Sequence, residues 1–202
     1  MHEKKFTLYE NLLREWNNKM NLIAPSTLPR IRERHIMDSA ALANYIPNDK
    51  IVLDLGSGAG FPAVVLAIMG FEVIAIESIA KKCRFLETVK SALDLSNLII
   101  INDRVENITK CGSKSLSPTK LQPIGHDIKK YVFTARAFAP LIKILDWTET
   151  SGIPYILLKG ENVKSEIEEA SKKYKFDYTL TPSSAGPGYI LYIQKINNAL
   201  TN

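Results

Sequence analysis

Cysteine is scarce in this 202-residue chain: Cys83 and Cys111 are the only two, too few for a disulfide framework. Histidine is hardly commoner, with three copies, and none falls at zinc-ligand spacing with the cysteines. The expectation is a reduced, cytosolic protein that uses no metal. No apolar run reaches the ~18 to 20 residues that a membrane helix needs, so no bilayer-spanning segment is expected. Met1-His2-Glu3-Lys4-Lys5 leads into an amphipathic stretch rather than a signal-peptide core. Without an export signal, the sequon Asn107-Ile108-Thr109 reads as chance. Extremes of composition are absent as well. Apolar residues make up 46% and charged residues 23%, which excludes disorder, collagen and coiled coil.

The charge is mildly positive and unevenly spread. Lys and Arg number 26 against 21 Asp and Glu, a net +5. Five of those lysines (Lys110, Lys114, Lys120, Lys129, Lys130) face only Asp127 in residues 110 to 130, a local net of +4. Glycine, serine and proline punctuate the same stretch, so it reads as a long basic loop. An anionic partner such as nucleic acid suits it, and so does a plain solubilising surface.

Apolar residues from Phe6 to Met20 recur at three- and four-residue spacing and predict an amphipathic helix over 5–20. A second helix is expected from Ser26 or Thr27 to about Tyr45. Strands are expected at 51–55, 72–77, 98–101, 131–135 and 155–158, with helical sequence at 64–69, 79–93 and 141–147. Uninterrupted apolar strands alternating with helices imply a parallel sheet buried on both faces. The last two strand-like runs, 175–180 and 189–194, have no helix between them and predict an antiparallel hairpin at the sheet edge. The expected division is a helical extension over 1–48 and an α/β domain over 49–202.

The best motif follows the first strand: Asp54-Leu55-Gly56-Ser57-Gly58-Ala59-Gly60-Phe61-Pro62. Its spacing is G-x-G-x-G, whereas the dinucleotide fingerprint sets its third glycine one place later. The tighter form after an acid is what Class I methyltransferases use for S-adenosylmethionine. Glu77 ends the second strand and suits a carboxylate accepting from both ribose hydroxyls of an adenosine. Glu77 alone does not separate that cofactor from NAD. Asn102 to Glu106, after the third strand, are placed to meet the adenine edge. No triad context surrounds His35 or His126, and the sequence Phe133-Thr134-Ala135-Arg136-Ala137-Phe138-Ala139-Pro140 is not the Asn/Asp-Pro-Pro-aromatic tetrapeptide of amino-methylating enzymes.

Several short segments together resemble the RsmG (GidB) family of 16S rRNA guanine-N7 methyltransferases. They are Trp16-Asn17 with Met20-Asn21-Leu22, Arg34-His35-Ile36-Met37-Asp38-Ser39, the loop from Asp54 to Pro62, and Lys81 with Arg84-Phe85-Leu86. Arg104-Val105-Glu106, Arg136-Ala137-Phe138-Ala139 and Leu158-Lys159-Gly160 complete the series. The resemblance implies a Class I S-adenosylmethionine-dependent methyltransferase fold, Rossmann-like with a seven-stranded mostly parallel sheet, and an N-terminal helical extension. It implies cofactor contacts at Gly56, Phe61, Val105, Glu106 and Arg136, beside the residue-level candidates Asp54, Gly58, Gly60 and Glu77. Three departures stand out: Ala59 where proline is common, a longer basic stretch, and Lys130-Tyr131-Val132 where an acid is common.

On this reading the product is S-adenosylhomocysteine, no metal takes part, and the partner is 16S rRNA or the small ribosomal subunit, met by a cytoplasmic monomer. Guanine N7 has a free in-plane lone pair and no proton to lose, which fits the missing base. Arg136 and Lys159, after the fourth and fifth strands, are the candidates to hold a phosphate or the guanine. Arg30, Arg32, Arg34, Lys81, Lys82 and Arg84 are candidates for a phosphate-binding surface, with ordinary surface cations the competing reading. Phe61 and Phe138 are the candidate stacking partners, or else core residues. A small-molecule methyltransferase on the same fold and a noncatalytic nucleoside- or RNA-binding protein remain open; an NAD-dependent oxidoreductase is disfavoured by the glycine spacing.

Overall fold

The structure is a computed structural model that describes residues 2–109, 128–148 and 152–199. Its centre is a seven-stranded sheet of β1 (Ile51–Leu55), β2 (Glu72–Glu77), β3 (Leu98–Asn102), β4 (Tyr131–Arg136), β5 (Tyr155–Lys159), β6 (Tyr174–Pro182) and β7 (Tyr189–Ala199). The spatial order is β3-β2-β1-β4-β5-β7-β6. β1 to β5 are parallel, and β7 runs antiparallel between β5 and β6. The expected C-terminal hairpin therefore forms, with its second strand inserted inward.

Helices cover both faces. α1 (His2–Asn17), α2 (Ala63–Ile68) and α3 (Ala80–Leu93) lie on one; α4 (Val105–Thr109), α5 (Leu141–Thr148) and α6 (Val163–Ser171) lie on the other. Successive strand residues point to opposite sides. Val52, Val73 and Val132 join the first apolar cluster, while their neighbours Leu53, Ile74 and Phe133 join the second. This double burial explains why β1 and β2 read as unbroken apolar runs.

The extension is packed into the domain. Phe6, Tyr9 and Leu13 recur along one face of α1 and are buried in the same cluster as Val64 and Phe85. At the end of α1 the buried Asn17 side chain accepts from the Leu22 and Ile23 N–H groups (both 2.9 Å), which folds the chain back. The expected second helix is a relay of unlike turns: 3-10 at Pro25–Arg30, a wide π turn at Arg32–Met37, one α turn at Asp38–Ala40 and 3-10 again at Ala41–Asn44. Pro29 inside the first segment removes a donor that a continuous α-helix would need. α6 was not anticipated from sequence. The basic loop falls outside the described residues except for the 3-10 turn Ile128–Lys130, whose Lys129 carbonyl accepts from Lys50 Nζ.

Tyr9 gives a direct test of the tie between the extension and the sheet. Its hydroxyl, fully buried, donates to the Ala59 carbonyl at 2.6 Å. Tyr9→Phe leaves that carbonyl unpaired in a dry environment, so urea unfolding should show a loss of about 1–3 kcal/mol.

Candidate functional site

Beyond the carboxyl ends of β1 and β4, where the winding of the sheet reverses, lies a cleft of about 540 Å³. Its floor is the glycine loop. Gly56 and Ser57 donate their N–H groups to the Ile76 carbonyl (2.9 and 3.0 Å), which turns the chain sharply after β1. Gly56, Gly58 and Gly60 all have positive φ, at 68°, 55° and 93°. At Gly60 a Cβ would meet Val64 and Tyr9, and at Gly56 the Phe138 ring, whereas at Gly58, which lines the cleft, the nearest atom among the described residues would be the Gly56 carbonyl oxygen at 3.7 Å.

Glu77 forms the next part of the wall. Oε2 accepts from the Gly58 N–H (2.9 Å) and Oε1 from the Ile79 N–H (2.8 Å), so the carboxylate holds the loop and the first turn of α3 together. Each oxygen keeps a lone pair that ribose hydroxyls could use. Past it stand Ile79, 48% exposed, then Val105 and Glu106 at the start of α4. An apolar residue this exposed beside a nucleoside-type acid offers a flat face to a base; the position directly after Glu77-Ser78 was the available signal for it.

Asp54 is placed differently from the expectation of a cofactor contact. It is fully buried beneath the loop, where Oδ1 accepts from Thr134 Oγ1 (3.2 Å), and it does not line the cleft. Burial raises its pKa to about 7, countered in part by the Ser57 and Thr134 hydroxyls and the Ala63 N–H. Its role is to support the loop from below.

The far end of the cleft is closed by the extension, with Leu22, Ile23, Ala24, Thr27 and His35. Phe61 organises this corner: its ring packs on Tyr9 (5.4 Å), stacks on His35 (4.9 Å, 23° apart) and carries the Arg136 guanidinium above it (5.7 Å). At 4% exposure Phe61 is committed to these neighbours, which removes it as a stacking surface for RNA. Phe138 instead lines the cleft, against Gly56 and 5.5 Å from the Trp147 ring. Trp147 was placed from sequence only as helical, with nothing to mark it as a wall of the cleft.

Arg136 reaches the cleft with its fork largely engaged. Nε donates to Asp38 Oδ2 (2.9 Å) and Nη2 to the Arg34 carbonyl (2.7 Å). Asp38 Oδ1 also accepts from Ser183 Oγ (3.1 Å) in the β6–β7 turn, so three separate parts of the chain meet there. Lys159 is elsewhere. Its Nζ donates to the Ala139 carbonyl (2.8 Å) and pairs with Glu166 (2.6 Å), whose Oε2 also accepts from the Leu141 N–H. Burial depresses the Lys159 pKa, and the ammonium fastens β5 to α5 and α6 rather than facing the cleft. The structure thus brings together Gly56, Gly58, Phe61, Glu77, Val105, Glu106 and Arg136, and keeps Asp54, Gly60 and Lys159 out of the cleft lining. Among the described residues no group of three or more His, Cys, Asp or Glu could hold a metal ion, and no helix is long and apolar enough to cross a membrane.

His35 and Asp54 give opposite pH dependences. Burial, with Arg136 and Arg34 nearby, lowers His35 from 6.5 to about 4, so its contribution to stability is complete above 6.5 and fades as pH falls towards 4. Asp54, raised from 3.8 to about 7, costs nothing below 3.8 and progressively more as pH rises to 7. Relative to the unmutated protein without cofactor, Asp54→Asn should therefore gain unfolding free energy as pH rises from 4 to 7, and His35→Gln should lose it from 4 to 6.5. Urea denaturation across that range checks both signs.

Comparison with known proteins gives the family and the fold. The sequence profile of the GidB family, described as rRNA small subunit methyltransferase G, matches residues 2–185. The Ribosomal RNA small subunit methyltransferase G of Rickettsia prowazekii (strain Madrid E) is 35% identical over 202 residues, 98% of this chain and 96% of that one. The protein of the same name from Orientia tsutsugamushi (strain Boryong) is 42% identical over 183 residues, covering 89% and 83%. Among solved structures, an O-methyltransferase from Bacillus cereus in complex with SAH has a similar fold, with TM-score 0.56 at 12% identity over 92% of this chain and 90% of that chain. The chain belongs to the rRNA small subunit methyltransferase G family.

Proposed function

We propose that this member of the family transfers the methyl group of S-adenosylmethionine to N7 of a guanine in the 16S rRNA of the small ribosomal subunit, in the cytoplasm. The observation that carries the cofactor reading is the pairing of Glu77 with Gly58 at the floor of one cleft, where the strand order reverses. The residues fit that molecule. Glu77 keeps acceptor capacity for a ribose, Gly58 leaves its approach open, and Ile79 and Val105 flank the place for a base. The acceptor assignment rests on the resemblance set out above.

When bound, the cofactor supplies an electrophilic methyl group on a sulfonium. Guanine N7 contributes the electron pair for the new C–N bond, the S–C bond breaks with its pair going to sulfur, and no proton has to move. What remains for the protein is placement. The Phe138 and Trp147 rings both line the cleft, and an unstacked base could lie against them. Arg136, held by Asp38 and Arg34, adds fixed positive charge beside them without being free to swing. Lys159 is too deeply tied to join.

Two measurements test the reading. Calorimetry should show S-adenosylmethionine and S-adenosylhomocysteine binding while NAD does not, and Gly58→Val should abolish both: a side chain there meets a φ of 55° at a residue that lines the cleft. Equal binding of NAD would overturn the cofactor assignment. In single-turnover transfer to small subunits lacking the modification, the rate should stay flat near neutral pH, and the product should be N7-methylguanosine. A bell-shaped profile would show that a titrating base takes part.

A further inference from the structure

His35 is 8% exposed, lines the cleft, and holds a polar atom that nothing among the described residues satisfies. Its hydrogen bonds identify that atom. The Thr27 hydroxyl donates its one proton to the Ala24 carbonyl (2.8 Å). Thr27 Oγ1 can then only accept from the imidazole, 2.9 Å away, so Nε2 carries the ring proton. In the neutral ring Nδ1 is left as a bare lone pair. It is buried, and among the described residues it has no donor. Burial, and after it the neighbouring cations Arg136 and Arg34, oppose a second proton on the ring.

A hydrogen-bond donor entering the cleft would satisfy His35, and position selects which one. The ribose end is marked by Glu77 and the base end by Ile79 and Val105, so the other end of the cofactor runs past the glycine loop towards Phe61. His35 stacks on Phe61, and Arg136 lies over the same ring. That corner sets an acceptor beside a guanidinium whose Nη1 is not engaged by Asp38 or Arg34. An amino acid carries the complementary pair, an ammonium to donate and a carboxylate to accept. The acceptor guanine is a poorer match, because it is neutral and carries no ammonium–carboxylate pair.

We propose that His35 Nδ1 accepts a hydrogen bond from the α-ammonium of S-adenosylmethionine, so that the N-terminal extension reads the amino-acid end of the cofactor. The inference rests on the cofactor reading above and adds a binding residue to it. It also gives the extension a ligand-binding role, since His35, Thr27 and Ala24 all come from its 25–44 relay or the residue before it.

The test crosses two ligands with two variants. S-Adenosylhomocysteine is compared by calorimetry with its desamino analogue, which keeps the carboxylate and replaces the amino group with hydrogen. The unmutated protein should prefer the amino form by roughly ten- to a hundredfold, as a hydrogen bond to a charged group implies. His35→Gln preserves a donor towards Thr27 but no atom at Nδ1, and should lose that preference. His35→Asn preserves an acceptor near Nδ1 and should retain most of it. If His35→Gln keeps the full preference, or both variants weaken the two ligands alike, the inference fails while the cofactor reading stands.

A measurement on the unmutated protein removes dependence on folding of the variants. With 15N-histidine labelling, the His35 Nδ1 resonance should move on adding S-adenosylhomocysteine and stay in place with the desamino analogue. A resonance moved equally by both would point to a water or a rearrangement, and one moved only by rRNA would assign the atom to the acceptor; either overturns the proposal. If S-adenosylhomocysteine does not bind the unmutated protein at all, the cofactor reading falls and takes this inference with it.

Discussion

The site depends on one guanidinium. Arg136 ends β4 and reaches residues about a hundred positions earlier in the chain, Asp38 through Nε and Arg34 through Nη2. Both partners sit on the relay of unlike turns, and Asp38 in turn accepts from Ser183 in the β6–β7 turn. A lysine could supply the charge but not two divergent donors in one plane. Because the ion pair is only 18% exposed on each side, little solvent competes for it. Without that junction the extension would still be anchored through Tyr9 and the buried Ile31, Ile36 and Leu42, but the segment bearing His35 would lose its polar tie to β4 and to the β6–β7 turn.

Phe61 translates this anchoring into the shape of the cleft. It follows directly on the glycine loop, so whatever holds its ring also holds the loop. Tyr9 fastens the same loop from α1 through Ala59, and Asp54 supports it from beneath through Thr134. The extension, β1 and β4 thus converge on a few residues of backbone. Burying Asp54 in such a place is costly for its charged form, and its raised pKa is the measure of that cost. The buried hydrogen bonds here serve geometry rather than proton transfer.

Much of this could be read in the sequence, for identifiable reasons. β1, β2 and the glycine loop carry strong, short-range signals: unbroken apolar runs where both faces are covered, and glycines where positive φ is needed. Glu77 was found because its spacing from Gly56 is set by one α/β turn of the fold. α6 was missed because its buried face is only Val163, Ile167 and Ala170, dispersed among charged residues. The broken character of the 25–44 segment was missed because 3-10, α and π turns share nearly the same apolar spacing over so short a length. Lys159 looked like a rim cation since strand-end position is visible in sequence, whereas its partner Glu166 lies on the helix that was not seen. Long-range polar pairing is the part that local pattern does not encode.

The contrast between Arg136 and Lys159 bears on how an enzyme without a general base can still be exacting. Both cations stand at strand ends next to each other in the sheet, Arg136 opposite Leu158 in the β4–β5 register. One is turned towards the cleft by the extension, the other is drawn away by Glu166 into the joint between α5 and α6. Had both faced the cleft, two positive charges would have stood there, and on the proposed function they would oppose both a sulfonium cofactor and a cationic N7-methylguanine product. Diverting Lys159 to a structural ion pair and tying Arg136 to Asp38 leaves the mouth less positive than the sequence alone suggests. On the proposed function, in which positive charge passes from sulfur to nitrogen, that restraint suits a cleft lined by the Phe138 and Trp147 rings, which attract a cation rather than repel it.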